Sequence, residues 1–148
     1  MYNKMSTFIN FIVSQRKKVV APSPTTFSLQ LQEEGRTFFT MDDPSIYLNV
    51  SVTPANKTFW GKYQNDLKKC NLFVGSTLID MSNSWVSATD QETTITIDVK
   101  ADEISDSDFG DQITLTLDKG ILEEDTPLYK SLFANGSTIT LGKIRIEK

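Results

Sequence analysis

The chain has 148 residues, 39% of them hydrophobic and 23% charged, which suits one ordinary globular domain with a single core. It has no histidine and one cysteine, Cys70, which excludes Ser-His-Asp and Cys-His catalysis, His-containing zinc sites and an internal disulfide. The net charge of −4 conceals a division: residues 1–32 carry +4 and residues 33–148 carry −8, a basic head on an acidic body.

Phe8, Ile9, Phe11, Ile12 and Val13 form an apolar stretch ahead of Arg16-Lys17-Lys18. Its i,i+4 pairs suit a short helix, and its aromatic and β-branched content suits a strand. Apolar before basic is the reverse of a signal peptide. No apolar run approaches the roughly 20 residues that span a bilayer. The expectation is a soluble chain with neither signal peptide nor transmembrane segment. Pro22 and Pro24 favour a stiff, extended connection. Residues 1–25 are therefore read as an N-terminal arm with a Pro-containing linker, and residues 26–148 as the domain.

Within the domain, period-two alternation dominates, the pattern of half-buried strands. Phe27, Leu29 and Leu31 alternate with Ser28, Gln30 and Gln32. Glu33-Glu34-Gly35 turns the chain and Arg36–Thr40 returns it. Ile46, Leu48, Val50 and Val52 define a clear strand that Pro54 ends. The period then changes. Phe59, Trp60, Tyr63 and Leu67 share one helical face within Asn56–Lys69. Cys70 follows as a small buried thiol. Leu72–Ile79 reads as one strand with an irregularity at Gly75, and Trp85–Thr89 as a short strand.

Thr93–Lys100 and Gln112–Asp118 are the most regular strands, with Ile95, Ile97 and Val99 on one inner face and Ile113, Leu115 and Leu117 on the other. Thr126-Pro127 looks like an N-cap with proline at the first helical position, and Asn135-Gly136 can end that short helix. In the final strand, Thr138–Glu147, Ile139 and Leu141 share one parity and Ile144 and Ile146 the other, so a bulge is expected at Gly142.

Ile97-Asp98-Val99, an acidic connector, Asp108-Phe109-Gly110-Asp111 and Ile113-Thr114-Leu115-Thr116-Leu117 together resemble the strand–corner–strand stretch of immunoglobulin-like domains. The chain departs from that family in having Gln112 where a corner tyrosine belongs, and in lacking a cysteine pair. The resemblance implies a fold and no activity. The expected class is all-β, an immunoglobulin-like β-sandwich of seven or eight strands with one or two short helices and an N-terminal arm.

Asp102, Glu103, Asp106, Asp108 and Asp111 form the densest carboxylate cluster. The run Asp106-x-Asp108-x-Gly110 lacks the third alternating Asp and the distal Glu of an EF-hand loop, so a solvated acidic loop is expected rather than a metal site. Paired carboxylates for glycoside hydrolysis are not flagged by any adjoining cleft. No Gly-rich phosphate loop, Cys-x-x-Cys pair or nucleophile elbow occurs in the sequence. Three consecutive bases are a weak nucleic-acid signal, and the acidic body repels phosphate. Asn56-Lys57-Thr58 and Asn135-Gly136-Ser137 match the glycosylation tripeptide and are taken as coincidental.

The expectation is a non-enzymatic structural module without cofactor or metal. In size, sandwich architecture, absence of cysteine pairs and a terminal arm it resembles accessory (decoration) capsid proteins. That resemblance implies a virion location and a protein partner in a larger assembly, either a capsid shell or copies of itself, with no direct nucleic-acid contact. The partner-binding candidates are Phe8, Phe11, Ile12, Arg16, Lys17 and Lys18. The alternative is a carbohydrate-binding or adhesive surface domain that uses Trp60, Tyr63 and Trp85.

Overall fold

Alternating residues become strands when a second sheet covers their apolar face, and two sheets do so here. The computed structural model describes residues 26–148. Strands β1 (Ser28–Leu31), β3 (Ser45–Thr53), β7 (Thr93–Lys100) and β6 (Ser84–Ala88) form one sheet in the order β1-β3-β7-β6. Strands β2 (Gly35–Phe38), β9 (Thr138–Glu147), β8 (Gln112–Asp118), β4 (Asn71–Val74) and β5 (Thr77–Ile79) form the other, in the order β2-β9-β8-β4-β5. Every pairing is antiparallel except β2 with β9. The first sheet has the ABED order of immunoglobulin-like sandwiches, and β4, β8 and β9 are the CFG trio of the second.

The inner faces are those set by alternation. Ile46, Leu48, Val50 and Val52 of β3 and Ile95, Ile97 and Val99 of β7 are buried against Leu115 and Leu117 of β8 and Leu141, Ile144 and Ile146 of β9. In β9 the pairing steps from Leu115–Gly142 to Thr116–Thr140. The bulge therefore lies at Leu141–Gly142, where the change of parity placed it. It turns Ile144 and Ile146 inward after Leu141.

Nine strands are present among the described residues, more than the seven or eight expected. Leu72–Ile79 is a hairpin rather than one irregular strand. Gly75, at φ 61°, turns the chain between β4 and β5.

Helix α1 (Lys57–Leu67) starts where Asn56 Oδ1 accepts the Phe59 N–H at 2.9 Å. It buries Trp60, Tyr63 and Leu67, spaced three and four residues apart, and lies against β6. Its Gly61 costs about 1 kcal/mol relative to alanine, and the buried face offsets this. Phe27 sits within 5.1–5.3 Å of the Phe59, Trp60 and Tyr63 ring centroids. The Trp60 indole N–H donates to the Pro54 carbonyl. This aromatic cluster closes one end of the sandwich. Helix α2 (Pro127–Leu132) is capped by Thr126 Oγ1, which accepts the Tyr129 N–H at 3.2 Å, and buries Leu128 and Leu132.

Ile97 and Leu115 face one another's sheets at the centre of this core and are almost fully buried. Replacing either by alanine is expected to lower stability by roughly 2–5 kcal/mol, measured by denaturant unfolding. Losses under about 1 kcal/mol would contradict the register described.

Candidate functional site

The partner-binding candidates Phe8, Phe11, Ile12, Arg16, Lys17 and Lys18 lie outside the described residues. The aromatic candidates are within them, and they separate. Trp60 is fully buried and Tyr63 nearly so, both in the cluster beneath Phe27. They fill the end of the core and offer no surface to a sugar. Helical periodicity had already put both on the apolar face of α1, which is the face a sheet covers.

Trp85 is different. It is 47% exposed on the outer face of the first sheet. Its neighbour there is Tyr47, 54% exposed, with ring centroids 5.9 Å apart and planes at 65°. Trp85 pairs in register with Thr96, Thr96 with Asn49, and Tyr47 with Asp98. Thr96 Oγ1 donates to Asn49 Oδ1 at 3.0 Å. Lys100 Nζ lies 3.1 Å from Asp98 Oδ2, and this hydrogen bond and charge raise the lysine above its ordinary value. The face is thus an edge-to-face aromatic pair set among short polar side chains. Tyr47 was legible as outward-facing from alternation. Its pairing with Trp85 required the strand order, which places β3 and β6 on either side of β7.

The acidic connector resolves into distinct roles. Asp102, Asp106 and Asp111 are exposed, as a solvated loop requires. Glu103 uses both carboxylate oxygens on backbone, accepting Lys100 N–H at 3.1 Å and Asp80 N–H at 3.3 Å. Asp108 is buried. Its Oδ2 accepts the Thr77 hydroxyl at 2.7 Å and the Ser76 hydroxyl at 3.1 Å. Thr77 Oγ1 also accepts the Ser105 N–H at 3.2 Å. A Cβ on Gly75 would stand 2.6 Å from Asp108 Oδ1. Glycine is therefore required at that turn twice over, by its positive φ and by the carboxylate packed against it. Asp108 fastens the β7–β8 corner to the β4–β5 hairpin, a task with no signal in the local pattern. Among the described residues no group of three or more potential ligands converges on a metal position.

Cys70 is buried, with its Sγ 3.8 Å from the Asp66 carbonyl oxygen. Burial, with Asp66 and Asp118 adding to it, pushes the thiol from 9.0 up to about 12. It stays protonated and packs as a small apolar group.

A third feature lies where the chain passes from the first sheet to the second. Leu31, Glu33, Glu34, Arg36, Phe38, Tyr47 and Leu48 line a cleft of about 430 Å³. No family model, no curated protein and no solved structure matches this chain.

Asp108→Ala is expected to cost about 1–3 kcal/mol by leaving two hydroxyls without their acceptor. Thermal unfolding of the parent chain in calcium and in chelator should coincide. A calcium-dependent rise in melting temperature that Asp108→Ala abolishes would instead make the corner a metal site.

Proposed function

We propose that this chain is a non-enzymatic structural module that joins a larger assembly through residues 1–25, most concretely an accessory capsid (decoration) protein of a virus or phage. The observation that carries this reading is the layout of the sequence, an apolar stretch followed by a basic cluster and two prolines ahead of the acidic domain. Residues 27–146 supply a two-sheet core with a helix over one end. Phe8, Phe11 and Ile12 belong to the apolar stretch of residues 1–25, ahead of Arg16-Lys17-Lys18. Burying each against a partner is worth roughly 1.5–3 kcal/mol before the cost of ordering the segment. Arg16, Lys17 and Lys18 would meet acids there, adding salt sensitivity more than strength. The division of charge, +4 over residues 1–32 and −8 over the rest, supports the same reading. Deleting residues 1–25 should leave a cooperatively melting protein that no longer co-sediments with capsid shells of its virus. Unchanged co-sedimentation would move the binding surface onto the sandwich. Loss of folding would make the arm part of the core.

A second reading, a carbohydrate-binding or adhesive surface domain, is favoured by one feature, the Tyr47–Trp85 pair. Sugar rings present C–H faces to aromatic rings and hydroxyls to polar side chains, and Asn49 and Thr96 lie beside this pair. Its aromatic members are then Tyr47 and Trp85, in place of Trp60 and Tyr63. Titration with oligosaccharides should change the fluorescence of Trp85 and leave the signal of buried Trp60. Saturable binding that Trp85→Ala removes would favour this reading over the first, and an unchanged spectrum across the panel would count against it.

A further inference from the structure

The cleft at the sheet-to-sheet crossing holds an unfinished strand edge. β1 pairs with β3 from Ser28–Thr53 to Leu31–Val50, and Gln32 N–H donates one more bond to the Asn49 carbonyl at 2.8 Å. There β1 departs, while β3 continues back to Ser45. In an antiparallel strand, a residue's own N–H and C=O point to the same side, and the side alternates. Asn49 points its groups toward β1, so Tyr47 and Ser45 do too. Ser45 N–H is taken by Asp43 Oδ1 at 3.2 Å. The Tyr47 N–H, the Tyr47 carbonyl and the Ser45 carbonyl face the side that β1 has left, where no other strand pairs among the described residues.

The opposite wall is also an edge. Phe39 N–H donates to the Glu147 carbonyl at 2.9 Å. By the same alternation, Arg36 and Phe38 turn their backbone groups away from β9, and among the described residues no strand pairs with β2 on that side. Phe38 is 53% exposed. The rim carries Glu33 and Glu34, both exposed, and Arg36, whose Nε lies 2.9 Å from Glu147 Oε2. Among the described residues, the charge left at the mouth is therefore acidic.

We propose that this cleft receives residues 8–13 of a second copy of the chain, added as a strand on the vacated edge of β3. The proposal rests on the arm-mediated assembly above and specifies its receptor. Three features match. Phe8-Ile9-Asn10-Phe11-Ile12-Val13 has the aromatic and β-branched composition of an added strand, whose backbone supplies the bonds and whose side chains fill adjoining pockets. Arg16-Lys17-Lys18 follows, opposite in charge to Glu33 and Glu34. The Tyr47 and Phe38 side chains offer apolar cover at the mouth. A neighbour's segment is favoured over the chain's own by direction. The arm joins β1 at the end next to Thr53, about 20 Å along β3 from Tyr47 at 3.3 Å per residue. β1 then runs toward the cleft, so the arm would have to reverse to enter it, against the extended bias of Pro22 and Pro24.

The test uses the full chain, by sedimentation equilibrium and site-resolved amide hydrogen exchange at low and high concentration. The expected result is self-association together with concentration-dependent protection of the Tyr47 amide. Tyr47→Lys, Phe38→Lys and Glu33→Lys, all at exposed positions, should each weaken association by about tenfold or more, with melting curves close to the parent's. Tyr47 protection at every concentration in a monomeric chain would mean the chain's own arm fills the cleft, and would overturn the proposal. Association with a freely exchanging Tyr47 amide would also overturn it, while leaving arm-mediated assembly standing. A monomer with an unprotected Tyr47 amide at all concentrations would overturn it outright.

Discussion

The first strand's passage between the sheets is the constraint on which the architecture turns. Packed sheets stand about 10 Å apart, and an extended chain advances about 3.3 Å per residue. Gln32, Glu33 and Glu34 are therefore just enough to carry the chain from β1 in one sheet to β2 in the other. So short a crossing has to run close to the sheet it enters. Gly142 makes room, because a Cβ there would stand 2.9 Å from the Leu31 Cβ. Glu34 Oε1 then accepts the Lys143 N–H at 3.3 Å and ties the crossing to β9. The same step sets the pairing of β2, which must run parallel to β9 because it continues the direction of β1. It also leaves β3, below Asn49, with no described strand on the side away from β7.

Where function of a residue followed from its own strand or helix, the sequence was sufficient. Ile95, Ile97 and Val99 face inward because their strand alternates. Trp60, Tyr63 and Leu67 face inward because they recur at helical spacing. The parity change between Leu141 and Ile144 located the bulge without any knowledge of its partner strand. The failures share a cause. Gly75 in an apolar run signals a bulge or a turn equally well, and what decides it is a carboxylate from Asp108 on another segment. Asp108 itself looked like one of five equivalent acids. Its burial depends on Ser76 and Thr77, which lie 32 and 31 residues earlier in the chain. The Tyr47–Trp85 pair likewise joins two strands that never touch in sequence. Long-range placement, rather than local pattern, carries that information.

Asp108 also stands in for the corner tyrosine of the immunoglobulin-like pattern, which this chain lacks. A corner tyrosine ties its strand's start to nearby backbone through a hydroxyl. Here Gln112 occupies that neighbourhood and is exposed. The tether comes from the other side of the corner, as a carboxylate accepting two hydroxyls from the β4–β5 hairpin. Gly110 N–H adds a bond to the Ile146 carbonyl at 2.9 Å, and Arg145 Nε donates to the Gly110 carbonyl at 2.6 Å. The corner is held by several ordinary bonds to two different strands. A corner fixed in that way leaves the acids around it free to stay in water, and Asp102, Asp106 and Asp111 do.

Open strand edges are a hazard that sandwiches manage by shortness, charge or cover. Three of the edges here meet that rule plainly. β5 has three residues, β1 has four, and β6 has α1 lying against it. β3 does not. It is a nine-residue strand at the centre of its sheet, paired with β7 along the half that β1 leaves bare. Its bare half cannot fray or slip, because Ile46 and Leu48 anchor it in the core. An edge that is rigid, flanked by the exposed rings of Tyr47 and Phe38 and set across a cleft from a second open strand has the properties of a template. The acids at its mouth, Glu33 and Glu34, select against an acidic segment and in favour of a basic one. Among the described residues, the fold thus presents an open strand edge where its charge would receive an apolar segment followed by lysine and arginine.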